Sequence, residues 1–153
     1  MGNSLSIASQ RALIRAKLKP GSIIHIFCDF TKPPKDKFCV IVHTDYEEGL
    51  LLFFLVNSEI AKFIQNEKRL LICQLPLTRK NYPFFRKETS YLNCAEIRDD
   101  LDVEKVITHL INVPQDYKGI LLDKDIIEVI QMVNSADTIG RYEKDLIINS
   151  LDN

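Results

Sequence analysis

The spacing of apolar residues changes once along this chain, and that change limits the folds open to it. Between residues 22 and 97, apolar side chains alternate with polar ones or form short apolar runs, as in β-strands. From residue 102 onward they recur every three or four residues, which predicts amphipathic helices. Strands followed by helices indicate an α+β domain, in which a small, strongly bent antiparallel sheet or barrel packs against helices on one side.

The pattern divides into five predicted strands and four predicted helices. The strands cover residues 22–30, 37–44, 50–58, 69–77 and 90–97, and the helices cover residues 6–18, 103–112, 123–134 and 141–151. We expect Ser6 and Asp102 to cap helices and Pro76 to mark a strand end or an edge strand. Residues 58–65 are expected to form a helical turn with Ile60, Phe63 and Ile64 inward.

The length of 153 residues predicts one domain with a single core. We expect a helical extension over residues 1–18, a β-barrel core over residues 19–97 and a helical part over residues 98–153. No apolar run approaches the roughly 20 residues of a membrane span, so we expect a cytoplasmic protein with no membrane contact. The start MGNSLS matches the myristoylation pattern at Gly2, although it is also a common unstructured start.

Charge is balanced overall but not locally. The chain has 20 basic and 21 acidic residues, so nucleic-acid binding would need a local patch. Residues 11–37 carry seven basic and two acidic side chains, whereas residues 96–104 are acidic. The N-terminal part is therefore the candidate for contact with an anion.

The cysteines and histidines predict no metal or cofactor. Four cysteines lie in or beside apolar runs and are predicted to be reduced core thiols: Cys28, Cys39, Cys73 and Cys94. They form no C-x-x-C pair, and the three histidines are not at metal-ligand spacing. The chain also has no P-loop, no G-x-S-x-G and no Rossmann glycine pattern, which leaves ATP hydrolysis, serine hydrolysis and hydride transfer unsupported.

A stiff basic loop, TKPPKDK, separates the first two predicted strands. Pro33 and Pro34 hold the backbone near polyproline geometry, so Lys32, Lys35 and Lys37 project in nearly fixed directions. One interpretation is a site for the phosphates of a nucleic acid. The other is a solvated hairpin loop whose lysines prevent edge-to-edge aggregation of the sheet.

Two further segments and one histidine are candidates for the same function. Asn57 and Ser58 follow the third strand and either point into a pocket or cap the next turn. In residues 79–91, aromatic side chains alternate with basic ones, a pattern that suits single-stranded RNA, although the phenylalanines can instead anchor the loop to the core. His25 lies on the strand face opposite Ile24 and Ile26, where it is a candidate general base or simply an exposed histidine.

Five stretches are similar to those of one known family. The segments KPGSIIHIFCDF, KDKFCVIV and LFFLVNSEI, followed by SYLNCAEI and GILLDKDIIEVIQMVNSA, resemble the MazF/PemK-like ribonuclease toxins of toxin-antitoxin systems. The resemblance covers roughly residues 18–135. Lys37 stands where the family has arginine, Phe38 where it has proline, and Asn57 and Ser58 where it has Thr-Ser.

The resemblance implies an SH3-like barrel that forms a homodimer, cleaves single-stranded RNA without a metal and is silenced by an antitoxin protein. It implies catalytic roles for Lys37, Asn57 and Ser58. Cleavage would still need a general base, for which His25 is the candidate because histidine is the side chain that most often has this role. The nucleic-acid-binding residues would be Lys32, Lys35, Arg79, Tyr82 and Arg86. The rival hypotheses are a non-catalytic protein-binding module on the same fold, like the gyrase-poisoning relatives, and a subunit that acts only through an apolar dimer surface.

Overall fold

The computed structural model describes residues 6–153 and shows a strongly bent antiparallel sheet with helices against it. The strands are β1 (Ser22–Cys28), β2 (Lys35–Asp45), β3 (Leu50–Asn57), β4 (Gln74–Thr78), β5 (Thr89–Asn93) and β6 (Tyr117–Ile120). The helices are α1 (Ile7–Lys17), α2 (Lys62–Gln65), α3 (Lys68–Leu71), α4 (Val103–Asn112), α5 (Asp123–Ser135) and α6 (Arg141–Asp152). A 3-10 turn, Pro114–Asp116, joins α4 to β6.

The predicted α+β class and the strongly bent antiparallel sheet are confirmed. The strands lie in the order β4-β5-β3-β2-β1-β6, and the sheet curls into a half-barrel. It has six strands instead of the predicted five, because β6 pairs with the start of β1. The sequence did not reveal β6, since it is only four residues long, half-exposed and interrupted by Gly119.

The sheet separates two apolar clusters. One cluster joins β2, β3, β4 and β5 to α5 and α6, with Phe54, Val129 and Ile147 fully buried. The other cluster joins β1, β2 and β3 to α4, with Phe53 and Ile107 fully buried. Successive residues of a strand point to opposite faces, so β2 and β3 contribute to both clusters.

Local sequence signals set several element boundaries as predicted. Ser6 Oγ accepts a hydrogen bond from the N–H of Ser9, and Asp102 Oδ1 accepts one from the N–H of Glu104, so both residues cap their helices. Pro76 lies in the edge strand β4, where its missing N–H disrupts no ladder on the outer side.

Three predicted features are wrong in detail. Residues 69–71 belong to α3, because the N–H groups of Leu70 and Leu71 turn back to the carbonyl of Glu67, and the strand begins at Gln74. The strand predicted over residues 90–97 ends at Asn93, whose side chain accepts a hydrogen bond from the N–H of Ala95 and turns the chain.

The third wrong feature is Phe63 of α2. It was predicted to point inward, but 70% of its surface is exposed, whereas Ile64 is buried. The two residues are adjacent in a helix of only four residues, and such a short helix turns only one side chain toward the core.

The four cysteines are buried free thiols, as predicted. Within residues 6–153, no helix is long and apolar enough to cross a membrane. The myristoylation pattern at Gly2 lies outside the described residues.

Candidate functional site

Most of the predicted site residues lie at one end of the sheet. Antiparallel neighbours reverse direction, so the end of β1, the start of β2, the end of β3, the end of β4 and the start of β5 meet there. We call residues 29–37, 57–59 and 79–88 at this end the basic end. It carries seven lysines and arginines against four acidic residues.

Lys37 and Asn57 contact each other in the middle of the basic end. Phe38 pairs with Val56 across β2 and β3, which places Lys37 beside Asn57 on the neighbouring strand. The Lys37 ammonium donates a hydrogen bond to Asn57 Oδ1 over 2.6 Å. The structure therefore joins two residues that the sequence could only place on separate strands.

The ammonium of Lys37 is half-buried and has no counter-ion within the described chain. Burial and, to a smaller extent, the neighbouring Lys35 lower its pKa. No salt bridge among residues 6–153 includes Lys37. An anion brought to this ammonium would stabilise its charge, which burial and Lys35 both disfavour.

Ser58 is exposed directly after Asn57. The alternative role of these two residues, capping the following turn, is not observed. The first residue before α2 is Ala61, which makes no side-chain cap bond, and Asn57 Oδ1 is occupied by Lys37. Among the described residues, the Ser58 hydroxyl makes no hydrogen bond, and it lies exposed at the rim of the basic end.

His25 lies on the opposite face of the strand pair from Lys37. Its ring packs on Phe38 with the ring centres 4.6 Å apart, and Phe38 contacts Phe84 and Phe85. Because Lys37 and Phe38 are consecutive in β2, their side chains project to opposite faces. The four residues predicted to be catalytic are therefore split, with Lys37 and Asn57 on one face and His25 on the other.

Two residues that the sequence did not single out surround His25. Asp116 Oδ1 lies 3.6 Å from His25 Nδ1, and Asp116 Oδ2 lies 2.8 Å from His109 Nε2. His109 Nε2 also lies 3.2 Å from the carbonyl oxygen of His25. His25 directly follows Ile24, the last residue of β1 that pairs with β6. Asp116 and His109 are each more than 80 positions from His25 in sequence, so no spacing rule links them to it.

Comparisons with protein-family models, with curated proteins and with solved structures found no match. The functional interpretation therefore depends on the geometry of the basic end.

The predicted nucleic-acid-binding residues divide into exposed and buried members. Lys32 and Lys35 are exposed. Arg79 and Arg86 are exposed as well, and Arg79 Nη1 donates to the carbonyl of Arg86 over 3.0 Å, which fixes the shape of the β4–β5 hairpin. Four of the predicted residues are thus available to an anion.

Unlike these four residues, Tyr82 is buried, so it is not placed to stack on a base as predicted. Only 3% of its surface is exposed, and its hydroxyl donates a hydrogen bond to the buried carboxylate of Asp125. The N–H of Leu122 donates to the same hydroxyl over 3.0 Å. Tyr82 and Phe85 therefore anchor the hairpin to the core, which is the alternative that the sequence left open.

An aromatic side chain that the sequence did not single out is exposed next to the basic end. Phe27 is the penultimate residue of β1, pairs with Asp36 and has 55% of its surface exposed. Its ring lies on the face of β1 that carries His25, opposite Lys37, so it is an exposed stacking surface at the same end of the sheet but on the other face. Its signal was hidden because Phe27 alternates with core residues in an ordinary strand pattern.

Proposed function

We propose that this protein binds single-stranded RNA at its basic end, in the cytoplasm. The observation that carries the proposal is the half-buried ammonium of Lys37, held by Asn57 and paired with no carboxylate of the described chain. Such a group favours a bound anion more than a fully solvated lysine does, because it has already lost part of its hydration.

The surroundings of Lys37 favour a chain of phosphates over a single small anion. Lys32 is exposed on the β1–β2 loop, and Lys35 is exposed at the start of β2. Arg79 and Arg86 are exposed on the β4–β5 hairpin. Charges spread along a rim match the repeated phosphates of a polynucleotide. At the same end of the sheet, on the face opposite Lys37, the exposed ring of Phe27 offers a stacking surface to unpaired bases.

Binding is the proposed activity. Cleavage without a metal, which the resemblance to ribonuclease toxins implies, needs a proton acceptor beside the phosphate that Lys37 holds. The predicted base, His25, lies on the other face of β1 and β2 and packs on Phe38. The binding residues are thus assembled in one place, whereas the predicted catalytic set is not.

Fluorescence anisotropy of a labelled single-stranded RNA tests the proposal. We expect the wild-type protein to bind, with an affinity that falls steeply as salt rises. The double variant Lys37→Ala/Ser58→Ala should bind at least about tenfold more weakly, the effect of losing hydrogen bonds to a charged phosphate. Lys68→Ala is the matched control, since Lys68 is an exposed lysine at the start of α3, away from the basic end.

Two results would contradict the proposal. A wild-type protein that shows no salt-dependent binding to single-stranded RNA does not have this function. Equal losses of RNA affinity in the double variant and in Lys68→Ala would mean that the lysines act through overall charge. The basic end would then not be the RNA-binding site.

A second candidate function, binding of a protein partner, is favoured by a separate surface. Phe63 is 70% exposed, and together with Leu70 and Ile97 it lines a pocket of about 370 Å³. A second copy of the chain or an antitoxin protein would bury this ring. Sedimentation over a range of concentrations, for the wild type and Phe63→Ser, shows whether the pocket joins two copies.

A further inference from the structure

Two buried thiols lie on the face of β2 that carries Lys37. The sulfur atoms of Cys28 and Cys39 are 4.0 Å apart, and both residues are fully buried. Cys39 follows Lys37 by two positions in β2, so their side chains share one face of the strand. Cys28 is the last residue of β1 and pairs with Lys35.

The two thiols differ in their electrostatic surroundings. The hydrogen bond from Cys39 lowers the pKa of Cys28 against the effect of burial, and the positive charges of Lys37 and Arg98 lower it further. The same hydrogen bond and burial raise the pKa of Cys39 well above its ordinary value. Cys28 is therefore the more readily ionised of the two sulfurs, which lie within hydrogen-bonding distance of each other.

The other two cysteines provide a natural comparison within the same chain. Burial raises the pKa of Cys73 and also that of Cys94. Among the described residues, neither sulfur makes a hydrogen bond to a second thiol, so they are expected to behave as inert core thiols.

We propose that Cys28 and Cys39 are a peroxide-reactive dithiol, and that closing it to a disulfide weakens the binding of RNA to the basic end. The second half of this statement rests on the proposed function, whereas the formation of the bond does not. Cys28 belongs to the last residue pair of the β1–β2 ladder, where local opening costs least and admits a molecule as small as hydrogen peroxide.

The reaction balances with one equivalent of hydrogen peroxide. The Cys28 thiolate attacks one peroxide oxygen, an S–O bond forms, the O–O bond breaks, and the departing hydroxide takes a proton to become water. Cys39 then loses its proton and attacks the sulfur of the Cys28 sulfenic acid. An S–S bond forms, the S–O bond breaks, and a second water leaves. Two thiols are oxidised and the peroxide is reduced to two waters.

The bond would act on Lys37 through the strands. A disulfide requires the sulfur atoms to approach from 4.0 Å to about 2.05 Å, so the end of β1 and the neighbouring part of β2 must shift. The contact between Lys37 and Asn57 depends on the position of β2 against β3. This shift of the strands disturbs the ammonium that the proposed RNA site uses.

Peptide mapping of the full-length protein after treatment with hydrogen peroxide tests the bond directly. We expect a peptide linked through Cys28 and Cys39 under non-reducing conditions, its loss on treatment with dithiothreitol, and free thiols at Cys73 and Cys94. Free thiols at all four positions, or a bond that joins a different pair, would overturn the proposal. The wild-type protein alone gives this answer, so it does not depend on a variant that folds.

Anisotropy with single-stranded RNA then tests the regulation. We expect oxidised wild type to bind at least threefold more weakly than reduced wild type, full recovery after reduction, and no response to peroxide in Cys39→Ser. A linked peptide with unchanged RNA affinity would sink the regulatory half. If the reduced protein binds no RNA, the proposed function is wrong. The peptide map still shows whether Cys28 and Cys39 form a disulfide.

Discussion

The hydroxyl of Tyr82 donates a hydrogen bond to the carboxylate of Asp125, which is 4% exposed and lies 43 residues further along the chain. This contact ties the β4–β5 hairpin to the first turn of α5. Burial raises the pKa of the Tyr82 phenol, and the hydrogen bond to Asp125 raises it further. Tyr82→Phe should lower the free energy of unfolding by about 1–3 kcal/mol, because the carboxylate stays buried and loses its donor.

Urea unfolding measures this loss. Tyr142→Phe is the control, since Tyr142 is 70% exposed and its change should stay within about 0.5 kcal/mol. Equal stability of Tyr82→Phe and the wild type would mean that the hydroxyl is not what holds the hairpin.

Removal of the charge at Lys37 should raise stability while it lowers RNA affinity. The pKa of Lys37 is lowered in the folded protein, so the unfolded chain holds this proton more tightly and the charge destabilises the fold at neutral pH. Lys37→Met should therefore be more stable at pH 7, by at most about 1 kcal/mol because solvent screens the half-buried ammonium.

The pH dependence identifies the cause of this gain. The stability advantage of Lys37→Met over the wild type should shrink as pH rises through the lowered pKa of Lys37 toward 10.5. At that pH, Lys37 of the wild type loses its charge in the unfolded chain as well as in the folded one. Urea unfolding at pH 7 and pH 9.5 checks the trend. A variant that is less stable at pH 7 would show that the Lys37–Asn57 contact outweighs the cost of burial.

His43 should make the fold less stable in mild acid. Its Nδ1 lies 2.6 Å from Ser150 Oγ of α6, and burial lowers its pKa below the ordinary 6.5. Below pH 6.5 the unfolded chain takes up a proton that the folded chain resists, so stability falls from that pH down to the lowered pKa. In His43→Gln the fall between pH 7.5 and pH 5.5 should be smaller than in the wild type.

Chemical unfolding of both proteins at the two pH values measures the difference. An identical fall in both proteins would remove His43 from the acid response.

Gly21 and Gly49 should tolerate alanine to different degrees. Both have positive φ, +95° and +68°, so alanine is strained at each position. A Cβ at Gly21 would lie 3.1 Å from Ile120 Cγ2 of β6, whereas a Cβ at Gly49 meets no atom within 4 Å. Gly21→Ala should therefore cost about 1 kcal/mol more than Gly49→Ala. Thermal unfolding of the two variants in parallel checks the order, and a reversed order would contradict it.

The sequence predicted those parts of the fold that local periodicity controls. The alternation in residues 22–30 predicted β1, and apolar runs predicted β2 and β3. The spacing of Val103, Val106, Ile107 and Leu110 predicted α4, and all four side chains are buried in the structure. The cap at Asp102 followed from one residue type at one position.

The sequence could not predict features that arise from long-range contacts. β6 exists because β1 offers it a pairing edge, and a segment with no period of its own gives no local sign of this. The burial of Tyr82 depends on a carboxylate 43 residues away, and the environment of His25 depends on Asp116 and His109. Basic and aromatic residues in 79–91 predicted a surface, whereas packing decided which rings remained exposed.

The β2–β3 turn lies at the end of the sheet opposite the basic end. Asp45 Oδ1 accepts hydrogen bonds from the N–H groups of Glu47 and Glu48, both over 3.1 Å, so the turn has a defined shape, and Gly49 faces open space. A biotin acceptor peptide inserted after Glu48 would fix the protein to a sensor surface at this turn. The immobilised molecules would then share one orientation, with Lys37 and its neighbours directed toward RNA in solution.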